Sequence, residues 1–171
     1  MTAFTANTIS NLPAGLRNVI GKHFADNRYS ETRDYYDQLL PRYRVTVCFH
    51  AGLKRHHTTL TFDGMSMAER EQIVQALDEL RGAFPKNRRA SSRLMTFLTC
   101  LRVSERRTLY RHAGLSDKEF QLPISSIDEE DRELGKPIIT ALDELCCLFA
   151  DMPHILTAVR AEDYLVELEN A

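Results

Sequence analysis

The chain has 171 residues, of which 43% are hydrophobic and 27% are charged. This composition is typical of a globular protein and excludes a disordered chain, and the length suits one domain with a real core. No apolar run approaches the roughly 18 residues of a membrane-spanning helix, and residues 1–10 show no signal-peptide block. The four cysteines lack CxxC spacing. We therefore expect a reduced, soluble, cytoplasmic protein without a membrane partner.

Charge is segregated along the chain. Residues 81–111 contain nine basic side chains and one acidic side chain, a balance of +8. Residues 112–171 contain four basic and fourteen acidic side chains, a balance of −10, and residues 1–80 hold nine of each. Such segregation affects binding partners and association rates rather than the fold. It predicts a protein that acts by binding.

The first elements are predicted to be helices. Apolar residues recur at helical spacing over 10–24, with Pro13 in the opening turn. A second short helix is predicted over 31–40, with Ser30 as its N-cap and Pro41 as its stop.

The pattern then changes to a period of two. Val45, Val47 and Phe49 alternate with other side chains, residues 51–54 supply a turn, and the β-branched stretch 56–62 can pair back. This pattern predicts one β-hairpin, which needs helices against one face because an isolated hairpin is marginal in water.

Everything after Asp63 is predicted to be helical. Ser66-x-x-Glu69 is a capping box at the start of a helix that ends near Phe84. Two more capping boxes occur at Ser116-x-x-Glu119 and Ser126-x-x-Glu129. Further helices are predicted over 94–101, 104–114, 137–152 and 161–168.

These elements predict a mainly α fold with one β-hairpin, in a compact helical domain of about six to eight helices. The whole chain, 1–171, is expected to form a single domain. A subdivision into 1–64, which holds the hairpin, and a helical part, 65–171, is possible.

One segment is echoed within the chain. Residues 72–84 align without gaps with residues 137–149, and seven of the thirteen positions are identical. A duplicated helical unit would explain the match, since repeated units often stack into a common core. The alternative is that both segments are simply good core helices, and the sequence leaves the choice open.

Catalytic and metal-binding patterns are weak. His50, His56 and His57 flank the predicted hairpin turn, where imidazoles facing each other across the strands could hold a metal. No carboxylate or second cysteine supports such a site, so a polar strand end is favoured. The chain also lacks a Gly-x-Ser-x-Gly motif and a phosphate-binding glycine loop. We therefore expect no metal, no cofactor and no enzymatic activity.

The basic segment gives the strongest functional signal. Arginine forks suit phosphate or carboxylate groups, so the partner would be a nucleic-acid backbone or an acidic protein surface. The alternative is internal pairing with the acidic C-terminal part. The candidate residues are Lys86, Arg88, Arg89, Arg93, Arg102, Arg106, Arg107 and Arg111.

Residues 104–122 also resemble a helix-turn-helix, because Gly114 follows one helix and Ser116 can cap the next. A recognition helix needs about ten residues to run along the major groove. Pro123 arrives only seven residues after Ser116, which weakens this interpretation.

Three stretches resemble the replication gene B proteins of temperate peduovirus-type phages, a family of small helicase loaders. They are Thr-Ile-Ser-Asn-Leu-Pro-Ala-Gly-Leu-Arg at 8–17, Arg-Leu-Met-Thr-Phe-Leu-Thr-Cys-Leu at 93–101 and Ile-Ile-Thr-Ala-Leu-Asp-Glu-Leu at 138–145. The resemblance implies a non-catalytic protein in the bacterial host cell that binds the host's replicative helicase. It further implies that the protein helps to place the helicase on single-stranded DNA at the phage origin.

The leading hypothesis is thus a replication accessory protein that engages a helicase. The alternatives are a DNA-binding transcriptional regulator that uses residues 104–122, and an inhibitor of a host protein. The acidic, apolar C-terminal segment is the predicted surface for the protein partner. Its candidate residues are Asp143, Glu144, Asp151, Ile155, Leu156 and Tyr164.

Overall fold

A computed structural model describes residues 30–85, 93–127 and 131–150. Within these ranges the chain forms helices and no strand, which confirms the mainly helical prediction. The α-helices are α1 (Ser30–Gln38), α2 (Pro41–His50), α3 (Met67–Ala83), α4 (Leu94–Cys100), α5 (Val103–His112), α6 (Asp117–Gln121) and α7 (Gly135–Ala150). Short 3₁₀ turns lie at Arg55–Thr59, Phe62–Gly64 and Ile124–Ser126. The helices predicted over 10–24 and 161–168 lie outside the described residues.

The predicted β-hairpin is wrong. Its first strand lies within α2, and its second strand is replaced by the two 3₁₀ turns before α3. Pro41 opens α2 rather than only ending the helix before it, because a proline in the first turn has no N–H to leave unpaired. Thr46, Val47 and Cys48 are all buried. Three consecutive buried residues do not fit a half-buried strand, whose side chains alternate between two faces.

Helix ends follow the predicted signals more closely. Ser66 and Glu69 form the capping box of α3: the Glu69 N–H donates to the Ser66 hydroxyl, and the Ser66 N–H donates to the Glu69 carboxylate. Gly114 follows α5 with a φ of 80°, in the left-handed region that glycine adopts without strain. Pro137 stands in the first turn of α7 and begins a new helix there.

The order of elements repeats along the chain. The helix α2 begins at Pro41 and α5 begins at Val103, 62 positions later, and each has ten residues. The same spacing relates the turn Arg55–Thr59 to α6, and the turn Phe62–Gly64 to the turn Ile124–Ser126. Helices α1 and α4 also end 62 positions apart, at Gln38 and Cys100.

The sequence repeats with the structure. His-Ala-Gly-Leu occurs at 50–53 and again at 112–115, at the end of α2 and of α5. The echoed segments 72–84 and 137–149 lie on α3 and α7. We call residues 36–84 repeat 1 and residues 98–149 repeat 2. Two successive copies of one helical unit explain all these correspondences, which favours the duplication over two unrelated core helices.

The core lies between the four longer helices of the repeats. The chain divides into a compact unit of residues 36–152 and another of residues 1–35 and 153–171. In the former, α2 contacts α3 and α5, and α7 contacts α3 and α5. Equivalent apolar residues of α3 and α7 are almost fully buried at Ile73, Leu77, Leu80, Ile138, Leu142 and Leu145. Burial of these side chains holds the two repeats together.

Candidate functional site

The helix α5 carries four of the predicted arginines. Arg102 is its N-cap residue, and its side chain is 77% exposed. The Arg102 N–H donates to the carboxylate of Glu105 at 2.8 Å. Glu105 is buried, and an oxygen of its carboxylate lies 4.0 Å from the Arg102 guanidinium. The acidic residue of the basic segment therefore stabilises the start of α5.

Arg106 and Arg107 share one aromatic partner. Their guanidinium carbons lie 4.9 and 5.0 Å from the centroid of the Phe120 ring on α6. The ring of Tyr110 meets the ring of Phe120 edge-on, with centroids 5.5 Å apart. Arg106 has a buried Nε without a hydrogen-bond partner, whereas Arg107 is exposed. The cation–π contacts position two like charges side by side at the surface.

Arg111 completes this basic face. Its guanidinium carbon lies 4.5 Å from the ring centroid of Phe49 on α2, and the residue is exposed. Among the described residues, none of the α5 arginines pairs with a carboxylate of α7. We call Arg102, Arg106, Arg107 and Arg111 the arginine face. Arg102, Arg107 and Arg111 of this face are exposed.

The other predicted site residues are dispersed or lie outside the described ranges. Arg93 is exposed directly before α4, and Asp143 is exposed on α7. Glu144 is part-buried and bound within the protein, as described below. The positions outside the described residues are Lys86, Arg88, Arg89, Asp151, Ile155, Leu156 and Tyr164.

A buried histidine, which the sequence analysis did not single out, connects three helices. The His112 side chain at the end of α5 has no exposed surface. Its Nε2 lies 2.8 Å from the Glu144 carboxylate on α7, and its Nδ1 lies 2.6 Å from the Thr46 hydroxyl on α2. The ring also stacks on Tyr43, with centroids 5.6 Å apart. Arg42 forms an ion pair with the same carboxylate at 3.0 Å.

Repeat 1 contains the same arrangement, a histidine bound to a threonine and a glutamate of two other helices. His50 at the end of α2 places its Nδ1 2.8 Å from the Thr108 hydroxyl on α5 and its Nε2 2.9 Å from the Glu79 carboxylate on α3. Each threonine lies four residues before the histidine of its own helix and contacts the histidine of the other helix. The helices α2 and α5 are therefore antiparallel and related by an approximate two-fold axis. We call these six residues the histidine network: Thr46, His50, Glu79, Thr108, His112 and Glu144.

Burial and hydrogen bonds act in opposite directions on two groups of this network, His112 and Glu79. Burial lowers the pKa of His112, and the neighbouring Arg42 also lowers it, whereas the hydrogen bond to Glu144 opposes them. Burial raises the pKa of Glu79, but hydrogen bonds from His50 and Gln75 outweigh it, so this pKa lies below its usual value. A neutral His112 that donates its Nε2–H to Glu144 and accepts the Thr46 hydroxyl proton satisfies all three groups.

The favoured interpretation of His50, His56 and His57 as a polar strand end, and the alternative of histidines facing each other across the strands, both assumed the hairpin, which does not form in the described residues. His50 binds Thr108 and Glu79, whereas His57 binds Glu69 through Nε2 at 2.9 Å. Within the described ranges, no group of three or more histidine, cysteine or acidic side chains is placed to hold a metal ion. These histidines hold helices together.

The segment 104–122 has the helix-turn-helix order but an unsuitable second helix. After α5 and a turn at 113–116, α6 runs for five residues. Five residues span about 7.5 Å, less than the two to three turns that a recognition helix places in the major groove. This geometry disfavours reading of base edges by α6.

The described part of the chain is a helical fold built from two repeats, with a cluster of arginines on α5 and at its N-cap. In the parts of the chain that the structure describes, no helix is long and apolar enough to cross a bilayer. No solved structure matches the chain. The model of the phage replication gene B protein family matches residues 1–166, so the chain belongs to this family and has a role in phage DNA replication.

Proposed function

We propose that this protein binds the replicative helicase of the bacterial host and assists its loading on DNA, without catalysing a reaction. Membership of the phage replication gene B family is the observation that carries the proposal. The arginine face adds support, because a loader must meet a nucleic acid or an acidic protein surface.

Loading would work by differential binding. A loader that binds an open helicase conformation more tightly than the closed one shifts the population toward the open one. DNA that then binds the helicase in competition with the loader would release the loader. Such a mechanism needs two binding surfaces and no nucleotide chemistry in the loader itself.

The two surfaces are assigned from charge. The arginine face would contact DNA or an acidic part of the complex. The helicase would contact the acidic, apolar C-terminal segment around residues 143–164, of which Asp143 is exposed on α7. Glu144 is less suited to this contact, because His112 and Arg42 occupy its carboxylate.

The experiment combines two measurements on purified proteins. Binding to the helicase is followed by size-exclusion chromatography with light scattering, and loading by strand displacement on DNA coated with single-strand-binding protein. Asp143→Arg should weaken the helicase complex by roughly tenfold or more, as expected when a charge is reversed inside an interface. Glu133→Arg, also exposed but on the turn before α7, is the matched control and should leave binding unchanged.

Three results would contradict the proposal. Failure of the wild-type protein to form a complex with the helicase would remove the loader function. A stable complex that blocks unwinding without promoting loading would instead identify an inhibitor of a host protein. Sequence-specific binding to duplex DNA without a helicase complex would identify a regulator.

A further inference from the structure

The two repeats differ at several surface positions of α2 and α5 and of their N-caps. At the spacing of 62, Arg102, Arg107 and Arg111 of α5 correspond to Leu40, Val45 and Phe49 of α2. Repeat 1 forms the same ten-residue helix, with the same helix end, without these three arginines. The scaffold therefore does not require them.

Arg106 is the member of the arginine face that both repeats share. Its counterpart, Arg44, also has a buried Nε without a hydrogen-bond partner and also lies over an aromatic ring, that of Tyr36, at 5.4 Å. This arginine belongs to the repeated scaffold. The charges specific to repeat 2 are those of Arg102, Arg107 and Arg111.

The spacing of these charges suits a chain of anions. Residues four apart on a helix lie on the same side, about 6 Å apart along the axis. Arg102 and Arg106 form one such pair, and Arg107 and Arg111 form another. Two adjacent pairs of guanidinium groups present a strip of forked donors that matches successive phosphate groups of a nucleic-acid backbone.

The aromatic ring within the strip is already occupied. Arg106 and Arg107 both lie over the Phe120 ring and the Tyr110 ring packs against it nearly at a right angle, so a base that stacked on Phe120 would compete with these contacts. The short helix α6 likewise offers no reading of base edges. Contacts from this face would be limited to the backbone and would not depend on base sequence.

From these observations we propose that the arginine face is a sequence-independent binding site for the phosphate backbone of a nucleic acid. Arg102, Arg107 and Arg111 supply the contacts that repeat 1 lacks, and the Phe120 and Phe49 rings hold two of them in place. The inference rests on the proposed loading function, because it assigns DNA rather than an acidic protein to this surface.

The test measures fluorescence anisotropy of labelled oligonucleotides of about 30 nucleotides, single-stranded and duplex, from about 50 to 200 mM salt. Arg107→Gln with Arg111→Gln should weaken binding roughly 100-fold, about tenfold for each arginine. The slope of log affinity against log salt should fall by about 0.7 to 0.9 for each lost contact. Binding to both oligonucleotides should be unaffected by base sequence, and the tighter one identifies the natural form of the backbone.

The matched control removes the same charge elsewhere. Arg132→Gln with Lys136→Gln also neutralises two exposed basic residues, and it should change affinity by less than about threefold if a local site binds the phosphates. Arg107→Lys with Arg111→Lys retains the charge and should keep the salt slope. Arg102→Gln changes the site away from the Phe49 and Phe120 contacts and should weaken binding roughly tenfold. This single variant tests the inference if the double variant fails to fold.

Several outcomes would overturn the inference. They are an absence of wild-type binding to either oligonucleotide at about 50 mM salt, an equal loss in the control pair, and stronger competition by polyglutamate than by DNA. Helicase binding is measured on the same preparations. If the helicase complex fails while the arginine variants still lose DNA, the loader proposal fails and the phosphate site stands. If the complex forms and DNA binding is insensitive to the arginines, the reverse holds.

Discussion

Replacing His112 by alanine should destabilise the protein severely. The imidazole is fully buried between Thr46, Glu144 and Tyr43, so its removal leaves a cavity and takes a partner from two polar groups. The cavity costs about 2 to 3 kcal/mol, and each polar group that loses its partner costs about 1 kcal/mol. Thr46 and Glu144 keep weaker contacts with Arg42, which limits the total to about 3 to 5 kcal/mol. That is a large part of the stability of an ordinary domain.

The assay is urea unfolding followed by far-ultraviolet circular dichroism, since the chain contains no tryptophan and is mainly helical. The approximate two-fold axis predicts that His50→Ala costs the same within about 1 kcal/mol, because its ring makes the equivalent pair of bonds. His56→Ala, at an exposed histidine, is the control and should cost less than about 0.5 kcal/mol. A loss below about 1 kcal/mol for His112→Ala would refute the role of the network in stability.

Two further predictions concern pH and glycine. Because burial lowers the pKa of His112, the unfolded chain takes up this proton first, so stability is complete above the unfolded pKa of about 6.5 and declines as pH falls below it. His112→Gln should flatten this decline by up to about 1.4 kcal/mol per pH unit in urea titrations, and identical slopes would contradict the assignment. Gly52→Ala and Gly114→Ala should each cost about 1 kcal/mol, since φ is 74° and 80° and no neighbouring atom obstructs the added methyl group. Gly82→Ala within α3 should raise the melting temperature instead, and equal losses at all three sites would exclude a backbone origin.

Much of the helical fold could be predicted from local signals. The capping box at Ser66 and the glycine at 114 mark helix ends through interactions that act within a few residues. Such helix ends can therefore be predicted from the local sequence. The strand prediction at 45–49 failed because alternation over five residues is too short a signal, and burial of Thr46, Val47 and Cys48 within the helical fold decided the structure. The motif His-Ala-Gly-Leu could have identified the helix end that the strand prediction missed. It ends a predicted helix at 112–115, and the same four residues at 50–53 indicate a helix end there too.

The candidate site also has one part that could be predicted from the sequence and one part that could not. Clustered charge in the sequence led to the four arginines of α5 and its N-cap, because Arg102 and Arg106, and likewise Arg107 and Arg111, are four residues apart and so lie on the same side of a helix. The histidine network could not be predicted from spacing, since its partners are 29 to 66 residues apart and meet only through the tertiary fold. An internal alignment at a spacing of 62 would have paired Thr46 with Thr108 and His50 with His112. It would have marked them as equivalent without revealing that they bond to each other.

A comparison of the two repeats separates the residues that the fold requires from the residues that only one repeat carries. At equivalent positions of α2 and α5, the buried threonine and the buried histidine are identical. Exposed positions differ: Val45, with 45% of its surface exposed, is equivalent to the exposed Arg107. If only the total charge of the protein mattered, basic residues would be expected in equal number on both repeats. Instead, α5 and its N-cap carry four arginines whereas α2 carries two, Arg42 and Arg44, and Leu40, the N-cap residue of α2, is apolar and 64% exposed. The same scaffold thus places Arg102, Arg107 and Arg111 at positions where the other repeat has Leu40, Val45 and Phe49, which is the difference that our proposal of a phosphate site specific to repeat 2 requires.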